Sequence, residues 1–483
     1  MRKSIIASLL ILIFCPAFLF IGQSSPSFMK IKNWALNWGG AYYDWVCHVY
    51  PLPQGGYIVA GDTQNFGLGK YESADLWVLK LSDDGEVEWQ KTYGTGQNEK
   101  MYDFQLVDDN GFIVLAETAP DYSGENYFER SFFLLKLNSV GNIEWQFRYK
   151  DIWPYSVRPT PDGGYILGAT TSFSGHGSND YLVLKLSSQG GLEWQRTYGA
   201  QGVDVCRCVI PSRDGGYVAL GESFIRGLSG GDIWILKLTS SGDVEWQYAY
   251  GSDLDEDAAS IFQASDGGYL VGGTRVKRGQ TYNESYYDFW LLKIDSAGTI
   301  KWQKTYTLGQ WNILKQVRAT PDGGGIALGH ASGQAETAWS KMWVLKLNSQ
   351  GDIQWQNTYD GFYGRGMSSA SIEPTEDKGY IIGAGTIIQW STYVDFLVLK
   401  VLPRGGIMAT GQESGLTIDV SHTLPLDTEV SPFLTSMTPL GANVEPSAIS
   451  IVPMISAAQT RIQPVRWSNP LTMGKKGGAA PRQ

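Results

Sequence analysis

Charged residues and histidines are scarce in this sequence. Charged residues make up 18% of the 483 positions, the net charge is −10, and no run of Lys or Arg exceeds two residues. Nucleic-acid binding needs a basic patch that neutralises phosphates, so we expect no nucleic-acid partner. The four histidines lie in no metal-binding pair, and no P-loop or strand-to-helix dinucleotide motif occurs. Zinc hydrolysis, acyl transfer and phosphoryl transfer therefore lack support, and we expect no organic cofactor.

Cysteine is also rare, with four residues in the chain. Cys15 lies in the apolar N-terminal stretch, which leaves Cys47, Cys206 and Cys208. An odd number of cysteines argues against a disulfide framework. Cys206 and Cys208 are two residues apart on a predicted strand, so we expect them on one face, where a mutual bridge would be strained. We interpret all three as small buried apolar side chains.

The N-terminus has the pattern of a secretory signal peptide. Met1-Arg2-Lys3 precedes an apolar stretch over residues 5–21, and small residues follow at 22–26. We predict a signal peptide over residues 1–25 and a secreted or cell-surface protein. The alternative is an uncleaved anchor, since this largely apolar stretch of 17 positions approaches the length of a membrane span. A membrane is a partner only in that case.

Glycine and tryptophan, by contrast, are abundant and recur in a repeat. A Gly-Gly-Tyr segment appears seven times, in full or weaker form, at residues 55–57, 110–112, 163–165, 215–217, 267–269, 323–325 and 378–380. A Leu-Lys-Leu-type strand follows each copy, centred on Lys80, Lys136, Lys185, Lys237, Lys293, Lys346 and Lys400. A Trp-x-x-x-Tyr element comes next, but only six times, at Trp89, Trp145, Trp194, Trp246, Trp302 and Trp355. Each repeat therefore predicts four strands.

The seventh Trp element lies at the other end of the array. Residues 34–39 have its spacing and precede the first Gly-Gly-Tyr copy. An array that begins with its final strand closes by pairing its two ends, which leaves no open sheet edge. We therefore predict an all-β fold over residues 31–401: a seven-bladed β-propeller with four antiparallel strands per blade, closed by an N-terminal strand that completes the last blade. The repeated aromatics would pack between blades, and the repeated lysines would be scaffold with solvated ammonium groups.

The repeat ends at Val401. Residues 402–483 contain prolines at intervals of seven, at Pro425, Pro432, Pro439, Pro446 and Pro453. Proline removes a ladder donor, so a central strand is excluded. We predict an extended or disordered C-terminal tail.

These elements resemble a family of secreted or cell-surface repeat propellers of archaea and bacteria, whose unit reads roughly Asp-Gly-Gly-Tyr, Asp-x-Trp-x-Leu-Lys-Leu, Gly-x-x-x-Trp. The resemblance covers residues 31–401 and implies a propeller and an extracytoplasmic location, but no particular activity. The hairpin of Gly141 to Trp145 also distantly resembles the tryptophan-docking unit of quinoprotein dehydrogenases. That family implies eight blades and adjacent cysteines, whereas Arg207 separates Cys206 from Cys208. We expect no quinone.

Aromatic residues cluster in the variable loops between second and third strands, which share one rim of a propeller. The candidate ligand-binding residues are Phe66, Tyr71, Tyr122, Tyr127, Phe173, Tyr286, Trp339 and Trp390. Aromatic faces beside polar side chains suit sugars and protein epitopes. The alternative is that these residues pack on one another to hold long loops in place.

A second candidate is the acidic segment Asp253-Leu254-Asp255-Glu256-Asp257. Asp253, Asp255 and Asp257 would supply hard oxygen ligands for Ca²⁺ from a loop between blades. Ala258 stands at the sixth position, where an EF-type loop needs Gly. A solvated acidic loop without metal is therefore the favoured interpretation.

Two functions remain open. We expect a monomeric binding or display module, rather than an enzyme, that binds a glycan or surface protein on the aromatic rim. The alternative is a carbohydrate-active hydrolase or lyase with carboxylates from separate blades, which sequence spacing cannot reveal.

Overall fold

A computed structural model describes residues 34–39, 42–66, 73–95, 97–119, 131–149, 152–172, 177–199, 202–224, 231–251, 254–279, 284–332, 341–359, 367–387, 394–405 and 452–454. All of them belong to one compact unit, Lys32–Gln483. The described residues form β-strands and turns, and no α-helix occurs among them. No helix of this part of the chain is long and apolar enough to cross a membrane. The predicted signal peptide lies outside the described residues.

The strands, numbered in chain order, fall into seven units of the same design. The first strands are β2 (Asp44–Pro51), β6 (Asn98–Leu106), β10 (Trp153–Pro159), β14 (Gly202–Pro211), β18 (Asp255–Gln263), β22 (Trp311–Ala319) and β26 (Met367–Pro374). The second strands are β3 (Tyr57–Thr63), β7 (Phe112–Ala119), β11 (Tyr165–Thr171), β15 (Tyr217–Phe224), β19 (Tyr269–Lys277), β23 (Gly325–Ser332) and β27 (Tyr380–Ile387).

The outer strands complete each unit. The third strands are β4 (Asp75–Leu81), β8 (Ser131–Leu137), β12 (Gly177–Leu186), β16 (Asp232–Leu238), β20 (Tyr286–Ile294), β24 (Lys341–Leu347) and β28 (Val394–Val401). The fourth strands are β5 (Val87–Gly94), β9 (Ile143–Tyr149), β13 (Leu192–Tyr198), β17 (Val244–Tyr250), β21 (Ile300–Tyr306) and β25 (Ile353–Tyr359). Two further strands are β1 (Trp34–Trp38) and β29 (Val452–Met454).

Within each unit, consecutive strands pair antiparallel, which gives an all-β, propeller-like arrangement. The last unit takes its outer strand from the N-terminal side, because β1 pairs antiparallel with β28, with Trp34 opposite Lys400 and Trp38 opposite Phe396. Each first strand contacts the first strand of the next unit, and β26 contacts β2. β29 pairs with the outer edge of β5, and the other residues of the predicted tail after Gly405 lie outside the described residues.

The third strands are continuous apolar runs because both of their faces are buried. In β4, Leu76 and Val78 belong to the core cluster shared with unit 2, whereas Trp77 and Leu79 belong to the cluster shared with unit 7. Strands covered on both faces need no polar alternation. The hydrophobic core is therefore a series of layers between neighbouring units.

The repeated aromatics tie each unit to the next, as expected. The Tyr93 hydroxyl donates to the Gly141 carbonyl of the following unit at 2.7 Å, and the Tyr198 hydroxyl donates to the Gly242 carbonyl at 2.6 Å. Both glycines have positive φ, which presents their carbonyls in the turn before the fourth strand. The indoles also join units: Trp34 Nε1 donates to the Asp83 carbonyl of unit 1 at 3.0 Å, as Trp246 and Trp302 donate to the Ser296 and Ser349 carbonyls.

The repeated lysines are scaffold, but their ammonium groups are not solvated as predicted. Lys185 and Lys237 are each 2% exposed. The Lys237 ammonium lies 2.9 Å from Asp214 of the Asp-Gly-Gly turn and 3.0 Å from Glu245 of the fourth strand. A buried ammonium needs such partners. The aspartate of the Asp-Gly-Gly turn and the repeated lysine thus form an ion pair, which explains why the two residues recur together.

A β-bulge interrupts every first strand at the same position. In each pair of first and second strands, one residue of the first strand is left without an opposite partner: Cys47, Tyr102, Tyr155, Arg207, Ala259, Lys315 or Ala370. A bulge residue breaks the alternation of faces.

The bulge overturns the prediction that Cys206 and Cys208 share a face. Because Arg207 is the extra residue, Cys206 packs in the cluster between units 3 and 4 and Cys208 in the cluster between units 4 and 5. Both thiols are free and buried, and Cys47 is free and half-buried.

A buried aspartate at the start of the third strand explains the glycine after the fourth. A Cβ added to Gly199 would lie 1.5 Å from Asp180 Oδ1, and one added to Gly94 would lie 1.6 Å from Asp75 Oδ1. Where the sequence has Ser131 or Lys341 in place of this aspartate, the glycine is replaced as well, by Lys150 or Asp360. Unit 5 is an exception in which the Thr307 hydroxyl donates to Asp288 at 2.7 Å.

The same aspartates face acidic side chains of the next first strand. Asp395 and Asp44 are both buried where the last unit meets the first. Burial, and secondarily the Asp44 carboxylate, raises the pKa of Asp395 to about 7. Between units 5 and 6 the sequence instead places Asn312 beside Asp288. Burial still raises the pKa of Asp288, while hydrogen bonds from Thr307 and Asn312 and the charge of Arg275 oppose that rise.

We expect Asp44→Asn to stabilise the protein above pH 4. A carboxyl whose folded-state pKa is raised destabilises the fold progressively as pH rises from its ordinary pKa to its folded pKa. Removing the Asp44 charge should therefore leave stability unchanged below pH 4 and increase it up to about pH 7, by on the order of 1 kcal/mol. Chemical unfolding of both proteins from pH 3.5 to 8 measures this difference. Asp108→Asn, at an exposed turn position, is the control, and a pH-independent difference would contradict the expectation.

Candidate functional site

The bulged first strands surround a cavity of about 420 Å³ to which all seven units contribute. Six of the seven bulge residues line it, Cys47 being the exception. In several first strands, the residues one and three positions after the bulge residue also line the cavity. Pro211 and Gln263, at the ends of β14 and β18, line it as well. The cavity therefore extends toward the Asp-Gly-Gly turns, away from the loops that follow the second strands. We call it the channel cavity.

Asp103 is the centre of one charged network in the channel cavity. Arg158 of the next unit donates through Nη1 to its Oδ2, as does the Val157 amide at 2.8 Å. Gln105 Nε2 donates to Oδ1 at 2.7 Å. The Asp103 side chain is only 1% exposed, and these donors replace the water that its carboxylate oxygens would otherwise bind.

His48 lies on the other side of Asp103. Its Nε2 is 3.2 Å from Asp103 Oδ1, and burial lowers the pKa of His48 to about 4 despite this carboxylate. The imidazole is therefore neutral at neutral pH. Because Nε2 faces the carboxylate, we assign the proton to Nε2, which leaves Nδ1 as an acceptor. This buried atom has no hydrogen-bond partner among the described residues.

A second charged pair joins units 6 and 7. Arg318 Nε lies 2.8 Å and 3.0 Å from the two oxygens of Glu373, and its Nη2 lies 2.6 Å from Oε1. The Arg318 guanidinium also lies over the ring of Phe262 at 5.4 Å. Gln316 contacts the same carboxylate, since its Nε2 donates to Glu373 Oε1 at 3.4 Å while its Oε1 accepts from the Ile372 amide at 2.5 Å. The second carboxylate of the cavity is thus also held by an arginine.

Tyr50 lines the same cavity with an unused hydroxyl. Its ring is parallel to the His48 imidazole, with centroids 6.1 Å apart. The hydroxyl is buried and has no hydrogen-bond partner among the described residues. Burial, reinforced by Glu373, raises the pKa of Tyr50 well above its ordinary value, so the group remains a donor.

Two bulge residues add positive charge. Arg207 donates from Nε and Nη2 to the two oxygens of Glu222 at 3.0 Å and 2.9 Å, behind the cavity wall. Lys315 is exposed on its strand and forms no ion pair with the described residues, and partial desolvation of its ammonium lowers its pKa. The lining thus contains four cationic side chains, Arg158, Arg207, Lys315 and Arg318, and two carboxylates, Asp103 and Glu373.

Two of the predicted rim residues are described. Phe66 packs against the buried Trp77, with ring centroids 5.0 Å apart, so it has the packing role that the alternative interpretation assigned to the rim. Tyr286 begins β20 and is 44% exposed. Six candidates lie outside the described residues: Tyr71, Tyr122, Tyr127, Phe173, Trp339 and Trp390.

The acidic segment is not a loop from Asp255 onward, because β18 begins there. Alternation along the strand buries Glu256 completely, while Asp255 pairs with Arg278. Burial raises the pKa of Asp257. Asp253 lies outside the described residues, within which no three His, Cys, Asp or Glu side chains are placed to hold a metal ion. The calcium site remains a prediction.

The channel residues were missed at the sequence level. The sequence did contain a signal. The second, third and fourth strands are alike from one copy of the repeat to the next, whereas the first strands carry different polar residues in each copy. His48, Asp103, Gln316 and their counterparts follow the bulge directly, and Tyr50, Arg158, Arg318 and Glu373 come two residues later. In a structure built from repeats, positions that differ between repeats are candidates for function.

No protein-family model matches this chain. No curated protein matches it either. Three solved structures illustrate what it is similar to. A crystal structure of the polysaccharide lyase Uly1 covers 78% of this chain and 94% of its own, with a TM-score of 0.48 and 8% identity. Puromycin hydrolase covers 72% of this chain and 52% of its own (TM-score 0.45, 11% identity), and the extracellular domains 1–2 of Drosophila Semaphorin 1a cover 76% and 87% (TM-score 0.42, 8% identity). At these scores the similarities carry no information about ligand or activity.

Proposed function

We propose that this chain is an extracytoplasmic binding or display module built on a closed seven-bladed β-propeller. The pairing of β1 with β28 supports closure, as does the contact of β26 with β2. So does the Val49 amide of the first unit, which donates to the Ser371 hydroxyl of the last at 2.8 Å. Location outside the cytoplasm rests on the N-terminal sequence.

The observation that favours a binding function over a cleavage function is that both carboxylates of the channel cavity are bound by arginines. Glycoside hydrolysis requires one carboxyl group that donates a proton and a second that acts as a base or nucleophile. Asp103 and Glu373 are instead each bound by an arginine of a neighbouring unit. Arginine contacts of this kind occupy the oxygens of both carboxylates, which suits a fixed recognition surface.

The ligand is a glycan or a surface protein, and the loops after the second strands are the proposed contact surface. Tyr286 represents this rim among the described residues, with an exposed ring at the start of β20. An exposed tyrosine offers an apolar face and a polar edge at low entropic cost, which suits both kinds of ligand.

We expect Tyr286→Ala to reduce binding on a glycan array by at least about tenfold, which is typical when a central aromatic contact is lost. Trp339→Ala tests a rim position outside the described residues. Tyr248→Ala is the matched control, because Tyr248 is also 44% exposed but lies on the fourth strand β17. Equal loss in Tyr248→Ala would contradict the rim. Turnover of a polysaccharide without retained binding would favour the enzyme.

A further inference from the structure

The channel cavity has properties that the rim proposal does not use. It is lined by four cations and two carboxylates, although the whole chain has a net charge of −10. Since Glu222 engages Arg207, the ammonium of Lys315 is the cation that no described carboxylate balances. Although Lys315 is exposed to solvent, the low-dielectric walls of a channel focus the field of such a cation and so attract anions.

The cavity also contains one unused donor and one unused acceptor side by side. The Tyr50 hydroxyl and His48 Nδ1 are both buried without a hydrogen-bond partner among the described residues, and their rings are stacked 6.1 Å apart. A buried polar group without a hydrogen-bond partner destabilises the protein, so a ligand that satisfies both groups is favoured. The donor suits an oxyanion, and the acceptor suits a hydroxyl group.

Arg158 has a donor left for an oxyanion as well. Arg158 binds Asp103 and the Val157 carbonyl through Nη1, while its Nη2 faces the Cys208 sulfur at 3.9 Å. A thiol sulfur is a weak acceptor, so this edge of the guanidinium is available to a stronger one.

We propose that the channel cavity binds the carboxylate of a hydroxylated acid, of the class of sugar acids. Lys315, Tyr50 and the free edge of Arg158 bind the carboxylate, and His48 Nδ1 accepts from a ligand hydroxyl. A volume of about 420 Å³ is within the range of small-molecule sites and accommodates a single sugar residue. The inference rests on the proposed binding function and specifies a second subsite, at the turn side of the channel.

The test is calorimetric titration of the full chain with sodium D-galacturonate, with D-galactose as the uncharged ligand of matched shape. We expect galacturonate to bind and galactose to bind at least about tenfold more weakly, since hydrogen bonds to a charged group are stronger than those to a neutral one. Inorganic sulfate is the third ligand. Sulfate binding as tight as that of galacturonate would overturn the assignment to a sugar acid.

Three variants locate the site. Lys315→Met and Tyr50→Phe should each weaken galacturonate binding by at least about fivefold. Tyr50→Phe keeps the ring and removes a buried hydroxyl that has no partner, so its stability should be at least that of the parent. Lys301→Met removes the same charge from an exposed lysine, 56% accessible and paired with Asp295, and should leave binding unchanged.

The outcomes separate this inference from the proposed function. If galacturonate does not bind, or binds equally to all three variants, the channel subsite is wrong, whereas array binding lost in Tyr286→Ala would still support the binding module. If array binding is lost in Lys315→Met, the channel is part of the same site. A high-resolution crystal structure grown with galacturonate that contains only water on Tyr50 would also overturn the inference.

Discussion

Replacing the five residues of β1, Trp34–Trp38, with alternating Gly and Ser is expected to unfold the protein or lower its thermal midpoint drastically. Trp38 is fully buried, and Trp34 and Leu36 pack in the same cluster between the last unit and the first. Substituting one buried Trp typically costs about 3 to 5 kcal/mol. The replacement also exposes the ladder edge of β28 and removes the Trp34 indole from the Asp83 carbonyl.

The control for this experiment is the same replacement in β29, which pairs with the outer edge of β5. We expect little change there, since no unit depends on it for its fourth strand. Differential scanning calorimetry of the full chain measures both effects. Trp38→Ala alone should fall between them, and equal midpoints for the two replacements would refute closure through β1.

Gly199→Ala is expected to destabilise the protein by about 1 to 3 kcal/mol, as overpacking in a close-packed interior does. The added methyl would lie 1.5 Å from Asp180 Oδ1 and 2.5 Å from its Cγ, so the whole carboxyl group must move. Asp180 is 2% exposed, and no open solvent is available to accept the displaced charge. Gly191→Ala is the control, because its nearest neighbour would be the Ser187 hydroxyl at 3.3 Å.

The sequence itself supplies the rescue variant. Unit 2 has Ser131 where unit 3 has Asp180, and it has Lys150 where unit 3 has Gly199. In an Asp180→Ser background, Gly199→Ala should therefore cost much less, which a double-mutant cycle in urea unfolding would measure as coupling. Additive effects would show that the glycine is required for another reason, such as its backbone conformation.

The repeat could be predicted from the sequence because its determinants are local. Glycines with positive φ recur in the turns, and apolar runs centred on Lys80, Lys185 and their counterparts become strands with both faces buried. The displaced strand was also identifiable, since Trp34 and Trp38 keep the spacing of Trp89 and Tyr93. The pattern of one repeat, recurring along the chain, therefore predicts where the strands lie and which Trp and Tyr residues join neighbouring units.

The chemistry of the channel depends on the tertiary structure. Asp103 meets Arg158, and Arg318 meets Glu373, each across a boundary between units and 55 residues apart in sequence. The bulge at Arg207 places Cys206 and Cys208 in different core clusters, against the period of two that a regular strand predicts. Hydrophobic and turn patterns specify strands locally, but which polar side chains share a cavity depends on how the units are arranged around the channel. That arrangement is set by packing between units, which no single segment of the sequence encodes.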